Sequence, residues 1–186
     1  MKTLRTADSI HYRRMTAEEL RAHFLITGLF RRDRAELVYT DADRALVGGV
    51  MPVAKRLRLE VGRELAAEYV CQRREMGVLN IGGPGRVTVD GREFTLATRE
   101  CLYIGRGSRD IEFASESSEY PARMFLLSYP AHAPLPTTKA TMNDARRIEL
   151  GSVATANHRT IYQFIHEGGI RSCQLVMGFT ELHEGS

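Results

Sequence analysis

Apolar residues first recur with a helical period just after a capping signal. In Thr16-Ala17-Glu18-Glu19 a hydroxyl stands at the N-cap and a carboxylate three residues on, so each side chain can bond the other's backbone amide. Leu20, His23 and Phe24 then share one face, and Gly28 offers a stop. A helix is expected over residues 16–27, with that face against the outside of a sheet.

From Glu36 the period shortens to that of strands. Leu37-Val38-Tyr39 is short and β-prone, residues 44–52 form an apolar run closed by Pro52, and Lys55 to Val61 alternate polar and apolar. Residues 68–127 read as a continuous antiparallel meander. Its clearest piece is Arg86 to Leu96, where Val87 and Val89 lie on one face, Phe94 and Leu96 on the partner's, and Asp90-Gly91 supplies a tight turn. Strands are also expected at Cys101–Ile104, Ile111–Phe113 and Met124–Leu127. Pro130, Pro134 and Pro136 mark an extended crossing segment. Two β-like runs follow, Arg159–Ile165 and Cys173–Thr180. The second has no evident later partner, so an exposed edge and self-association are expected. The expected organisation is a β domain over residues 1–129, a Pro/Thr-rich crossing at 130–158, and the opening strands of an incomplete second unit at 159–186. Many short strands at this spacing predict a mostly β sandwich or barrel with one N-terminal helix.

The 186 residues suit one domain, or one domain and part of another. With 43% hydrophobic and 26% charged residues the chain is ordinary for a globular protein, and the net charge of +3 is spread without basic runs, which argues against nucleic acid. No secretory signal and no apolar run of about 20 residues is evident, so a cytoplasmic protein is expected. Cys71, Cys101 and Cys173 are odd in number and far apart, as suits reduced thiols.

Gly82-Gly83-Pro84-Gly85 resembles a phosphate loop only superficially. No Gly-Lys-Ser/Thr follows and the next element is a strand, so a turn is expected. The frame around it is more informative, because it is similar to the two motifs of cupin barrels: Gly, His-x-His, Glu, Gly, and then Pro-x-Gly-x-x-His. Here Gly62 opens the frame, Tyr69 and Cys71 take the two His positions, Met76 the Glu, Gly83 the closing Gly, and Asp110 the third His. On a strand, Tyr69 and Cys71 would share the inward face. A phenol, thiol, thioether and lone carboxylate are a poor set for zinc or iron, so these side chains are expected to fill the barrel and bind no metal.

Longer strings carry a more specific resemblance. Asp43 to Pro52, Arg73 to Gly83, Pro130-Ala131-His132 with Pro136-Thr137, Arg159 to Tyr162, and Cys173 to Leu182 together look like the 4-deoxy-L-threo-5-hexosulose-uronate ketol-isomerase family, from about residue 16 onward. The resemblance implies a bicupin, usually a homohexamer, that converts 5-dehydro-4-deoxy-D-glucuronate to 3-deoxy-D-glycero-2,5-hexodiulosonate in pectin and uronate breakdown. It also implies a zinc ion in the second cupin, held by two His, a Glu and a distant His. All of these follow the position of Gly185-Ser186, so no residue here matches a zinc ligand, and this chain is expected to lack zinc and turnover on its own. The partner implied is a small sugar acid. Arg73, Arg74 and Glu75 match a family string and are candidates to hold its carboxylate, or else form an ion-paired strand rim. The histidines at 11, 23, 132, 158, 166 and 183 are isolated and read as structural. The alternative function is a non-catalytic cupin module that binds a sugar acid or joins a partner subunit.

Overall fold

The computed structural model describes residues 1–185. Strands β1 (Lys2–Leu4), β2 (Arg34–Thr40), β3 (Leu46–Met51) and β4 (Leu57–Arg58) come first, with α1 (Ala17–Phe24) between β1 and β2. Next come β5 (Arg74–Asn80), β6 (Gly85–Val89), β7 (Arg92–Leu96), β8 (Cys101–Ile104), β9 (Ile111–Ser115) and β10 (Met124–Pro130). β11 (Thr138–Ala140), β12 (Arg146–Leu150), β13 (Arg159–Ile165) and β14 (Met177–Leu182) complete the chain.

The strands build three sheets, ordered β1-β2-β3-β10-β5-β8-β11, β4-β9-β6-β7 and β12-β13-β14. The stretch from residue 68 to 127 is therefore not a meander. After the β6–β7 hairpin the chain returns to the large sheet as β8, crosses to the small sheet as β9, and comes back as β10. This is the cupin-type sandwich the sequence pattern and the resemblance predict, mostly β, with few helices and with its sheets left open. Val50, Met76, Val78, Leu102 and Leu126 of the large sheet bury their side chains with Val87, Leu96, Ile111 and Phe113 of the small one. Asp90 (φ 49°) and Gly91 (φ 83°) both take the left-handed conformation that a two-residue hairpin turn requires.

A second core lies on the outer face of the large sheet. There Leu79, Cys101, Tyr103 and Ala140 pack with Phe164, Ile165, Leu175 and Met177. β5 is consequently buried along its whole length, with Met76 and Val78 toward the sandwich and Leu79 toward the second core. Leu175 and Met177 are buried within this chain, while β14 stands at the edge of its sheet, as expected. The Pro/Thr-rich stretch at 130–158 carries two strands: β11 pairs with β8, and β12 with β13.

The capping box forms as read. Thr16 Oγ1 accepts from Glu19 N, and Thr16 N donates to Glu19 Oε2 at 2.7 Å. α1 ends at Phe24, before Gly28, and buries none of its residues. Its expected packing against a sheet is absent; Leu20, Phe24 and Leu25 remain exposed. The glycine cluster is a turn between β5 and β6. The buried Asn80 knots it: Asn80 Nδ2 donates to Gly83 O at 2.8 Å and Leu96 O at 3.0 Å, while Oδ1 accepts from Gly82 N at 3.1 Å. A Cβ on Gly83 would overlap the Tyr120 carbonyl, which explains the glycine without a ligand.

Candidate functional site

The degenerate cupin positions do not converge. Val70–Gln72 is a 3-10 turn, not a strand, so the alternation that would aim Tyr69 and Cys71 the same way does not operate. Cys71 is sealed in the core with Met76, and burial pushes its thiol up to about 12. Tyr69 lies outside, with the Arg109 guanidinium 4.9 Å from its ring centre. Asp110 is exposed and ion-paired with Arg58. Among the described residues no three of His, Cys, Asp and Glu are grouped so as to hold a metal ion. A metal ion does not fit these four first-cupin positions, which are not the ones to which the resemblance assigns zinc: the thiol is held protonated by burial and the carboxylate is spent on an arginine.

The Arg73-Arg74-Glu75 string behaves differently from an ion-paired rim. The three do not pair with one another. Glu75 is fully buried on the outer face of β5, and its carboxylate accepts four hydrogen bonds. They come from Tyr103 OH (2.8 Å), Cys173 N (2.8 Å), Gln174 N (2.7 Å) and Leu175 N (2.9 Å). The Tyr103 phenol is held well above its ordinary range, first by burial and then by its bond to Glu75. This carboxylate is occupied in tying the 173–175 loop to the sandwich.

Arg73 and Arg74 instead line one cleft of about 300 Å³ with Tyr39, Arg44, Glu64 and Pro130. Arg74 is only 7% exposed. Its Nε donates to Ser128 Oγ at 3.1 Å, and its Nη2 to Ser128 O at 2.8 Å and Arg44 O at 2.6 Å. Burial, partly countered by Tyr39, lowers its pKa from the ordinary arginine value. Arg73 donates through Nη2 to the carbonyls of Leu65 and Ala66, which fixes it at the rim. Sequence reasoning passed over Arg44. Asp43 and Arg44 both adopt positive φ, 51° and 52°, a geometry announced by neither Gly nor Asn at these positions.

Four of the six histidines stand apart, whereas His158 and His183, read as isolated, are brought together. His158 and His183 stack with ring centres 4.1 Å apart, and His183 Nε2 lies 2.7 Å from Thr160 Oγ1. His132 is exposed, His11 pairs with Asp8, His23 Nδ1 meets Arg5 O, and His166 accepts from Gly168 N.

A two-sheet sandwich whose metal positions have become core and surface residues, with an arginine-lined cleft at its side, defines a cupin-type module. Residues 25–186 match the model of the KduI/IolB family, and the chain belongs to that family. It is 46% identical over 91% of its length to a 4-deoxy-L-threo-5-hexosulose-uronate ketol-isomerase of Halalkalibacterium halodurans, and 47% identical over 93% of its length to one of Rhizobium meliloti. The chain spans 62% and 61% of those two relatives. Among solved structures, an IolB-like protein from Salmonella typhimurium LT2 matches with a TM-score of 0.51 at 13% identity, covering 64% of this chain and 43% of that one. At that identity the likeness concerns the fold.

Proposed function

We propose that this protein serves the ketol-isomerase reaction that its relatives are named for. The conversion is that of 5-dehydro-4-deoxy-D-glucuronate to 3-deoxy-D-glycero-2,5-hexodiulosonate, in the cytoplasmic breakdown of uronate polymers such as pectin. One observation carries this reading: identity of 46 and 47% to curated isomerases over more than nine-tenths of the chain. The reaction moves a proton between adjacent carbons through an enediol, so it requires a base and stabilisation of the developing oxyanion. Zinc as the resident electrophile and a homo-oligomeric assembly belong to the same reading. The described residues offer no grouping for the zinc, so no step is assigned to it here. The role the sandwich supports for itself is binding and positioning a charged sugar.

Activity is tested on the purified native gene product by following loss of the unsaturated-uronate-derived substrate in a coupled assay, with its mass in solution measured alongside. Turnover that tracks the native gene product through purification is expected, and none from residues 1–186 by themselves, which span 62% of the first relative. A protein that binds the sugar acid and never turns it over would favour the second reading, a non-catalytic module, which the separation of Cys71 and Met76 in the core from Tyr69 and Asp110 at the surface supports.

A further inference from the structure

The cleft beside β5 is lined by three arginines and a single carboxylate, Glu64, with which none of the three is ion-paired among the described residues. Arg74 is buried, and the acceptors on its Nε and Nη2 are all uncharged: the Ser128 hydroxyl and two carbonyls. Its Nη1 has no hydrogen-bond partner, yet it is not sealed from solvent; the only buried, unpartnered side-chain nitrogen or oxygen among the described residues is Arg86 Nε. Arg74 is among the residues that line the cleft. A buried guanidinium without a counter-charge is costly, and a carboxylate supplied from outside would offset the cost. The same Arg74 Nη2 grips the carbonyl of Arg44, whose backbone sits in the left-handed region beside an equally left-handed Asp43. Strained non-glycine backbone of this kind persists where surrounding contacts enforce it, and it concentrates at ligand clamps. The Arg44 side chain is exposed and lines the cleft, as does Arg73, which is braced by the carbonyls of Leu65 and Ala66. Among the described residues none of the three arginines is in an ion pair, although six other arginines are.

We propose that the cleft between Arg44, Arg73 and Arg74 is a binding site for the carboxylate of a sugar acid, with the sugar ring lying against Tyr39 and Pro130. Guanidinium groups suit a planar carboxylate, which they can engage with two parallel hydrogen bonds. A cleft of about 300 Å³ is at the small end for ligand sites, which suits a single sugar ring. The choice of a sugar acid rests on the proposed function; the anion site itself rests only on the arginines.

Calorimetric titration of the whole protein with D-galacturonate, D-galactose and inorganic phosphate tests the site. Two variants locate it: Arg44→Asn, which removes the charge but tolerates positive φ, and Arg73→Gln. Saturable binding of galacturonate is expected and none of galactose. Each variant should weaken galacturonate on the order of tenfold, the usual loss for one charge-assisted hydrogen bond. Galacturonate binding that is the same in both variants overturns the site, and so does tighter binding of phosphate than of galacturonate. If the protein turns over its substrate but no galacturonate binding reports on Arg44 or Arg73, the site falls and the isomerase reading survives. If binding is lost in the variants while the parent protein shows no turnover, the site stands and the isomerase reading falls.

Discussion

Replacing Glu75 with glutamine removes one charge and no volume, so its effect isolates the hydrogen bonds that join the second core to the sandwich. Both carboxylate oxygens of Glu75 are fully subscribed. Oε1 accepts from Gln174 N and Leu175 N, and Oε2 from Tyr103 OH and Cys173 N. A glutamine has one acceptor oxygen. Its NH2 is best placed toward Tyr103, because that phenol can rotate its proton away and accept. The Cys173 amide cannot turn, and it would face a donor in a site closed to water. An orphaned buried N–H costs about 1–3 kcal/mol, and the two bonds kept by the amide oxygen each lose about 1 kcal/mol in passing from charged to neutral acceptor. Relief of the desolvated carboxylate, which has no cation beside it, offsets part of this. A net loss of about 3 kcal/mol follows, or a fall in Tm on the order of 10 °C for a chain of this size. The affected residues lead directly into Leu175 and Met177 of the second core, so the damage should be regional. Urea unfolding gives the total, and native-state hydrogen exchange at the amides of 173, 174 and 175 gives the location. Tyr103→Phe, which removes one donor and orphans no amide, should cost about 1 kcal/mol. A Glu75→Gln protein within 0.5 kcal/mol of the parent, with those three amides as slow as before, would refute the account of the loop's anchorage.

Thiol reagents at pH 8 should modify one cysteine quickly in the native protein, the half-buried Cys173, and leave Cys71 and Cys101 until unfolding, because burial holds both of those thiols up at about 12. The same two thiols make stability fall as pH rises from about 9 toward 12, since the unfolded chain releases protons over that range that the fold retains; urea midpoints across it measure the slope. Gly105→Ala would thrust a methyl group into the Leu135 carbonyl and prise the crossing segment from the large sheet, at a cost of about 2 kcal/mol or more by thermal melting. Cys71→Ala should leave any zinc content of the protein unchanged by elemental analysis, because Cys71 is sealed in the core with Met76 while Tyr69 and Asp110 line a separate surface cleft; a stoichiometric loss would show a site that this geometry does not contain.

What was legible in the sequence was local. The Thr16–Glu19 box and the Asp90-Gly91 turn are each completed within a few residues, so their chemistry can be read from the string alone. Most of the longer strands were similarly plain, because alternation is a property of each strand by itself, whereas β1, β11 and β12 were not read. What escaped depended on distant chain. The order β3-β10-β5-β8 is decided by which apolar faces meet, and alternation records only that a face exists. The same limit explains α1: Leu20 and Phe24 mark a face, but nothing in their spacing says whether another element covers it, and among the described residues both stay exposed. At Tyr69 and Cys71 the error was one of period, since a single 3-10 turn ends the two-residue repeat on which their shared direction depended. Arg44 was invisible because its role comes from a carbonyl held by a residue 30 positions away.

The adjacency of Arg74 and Glu75 shows why a charged pair in a strand should not be read as an ion pair. Successive residues on a strand face opposite ways, so these neighbours serve different cores and never meet. Arg74 is anchored to Ser128 and holds the backbone of Arg44; Glu75 collects the 173–175 loop on the far side. Exchanging them, Arg74→Glu together with Glu75→Arg, preserves composition, net charge and the local charge pattern. It nevertheless aims a carboxylate at the carbonyls of Arg44 and Ser128, and a guanidinium at three amide donors. Leaving one buried charge without its partners costs about 3–5 kcal/mol, and here two are stranded at once, a sum comparable with the whole net stability of an ordinary domain, about 5–15 kcal/mol. The exchanged protein should therefore fail to fold, seen as lost near-ultraviolet dichroism and lost protection of β5 amides. A cooperative unfolding transition near that of the parent would mean that the two charges act through their mutual proximity after all, and that the opposite-face assignment is wrong.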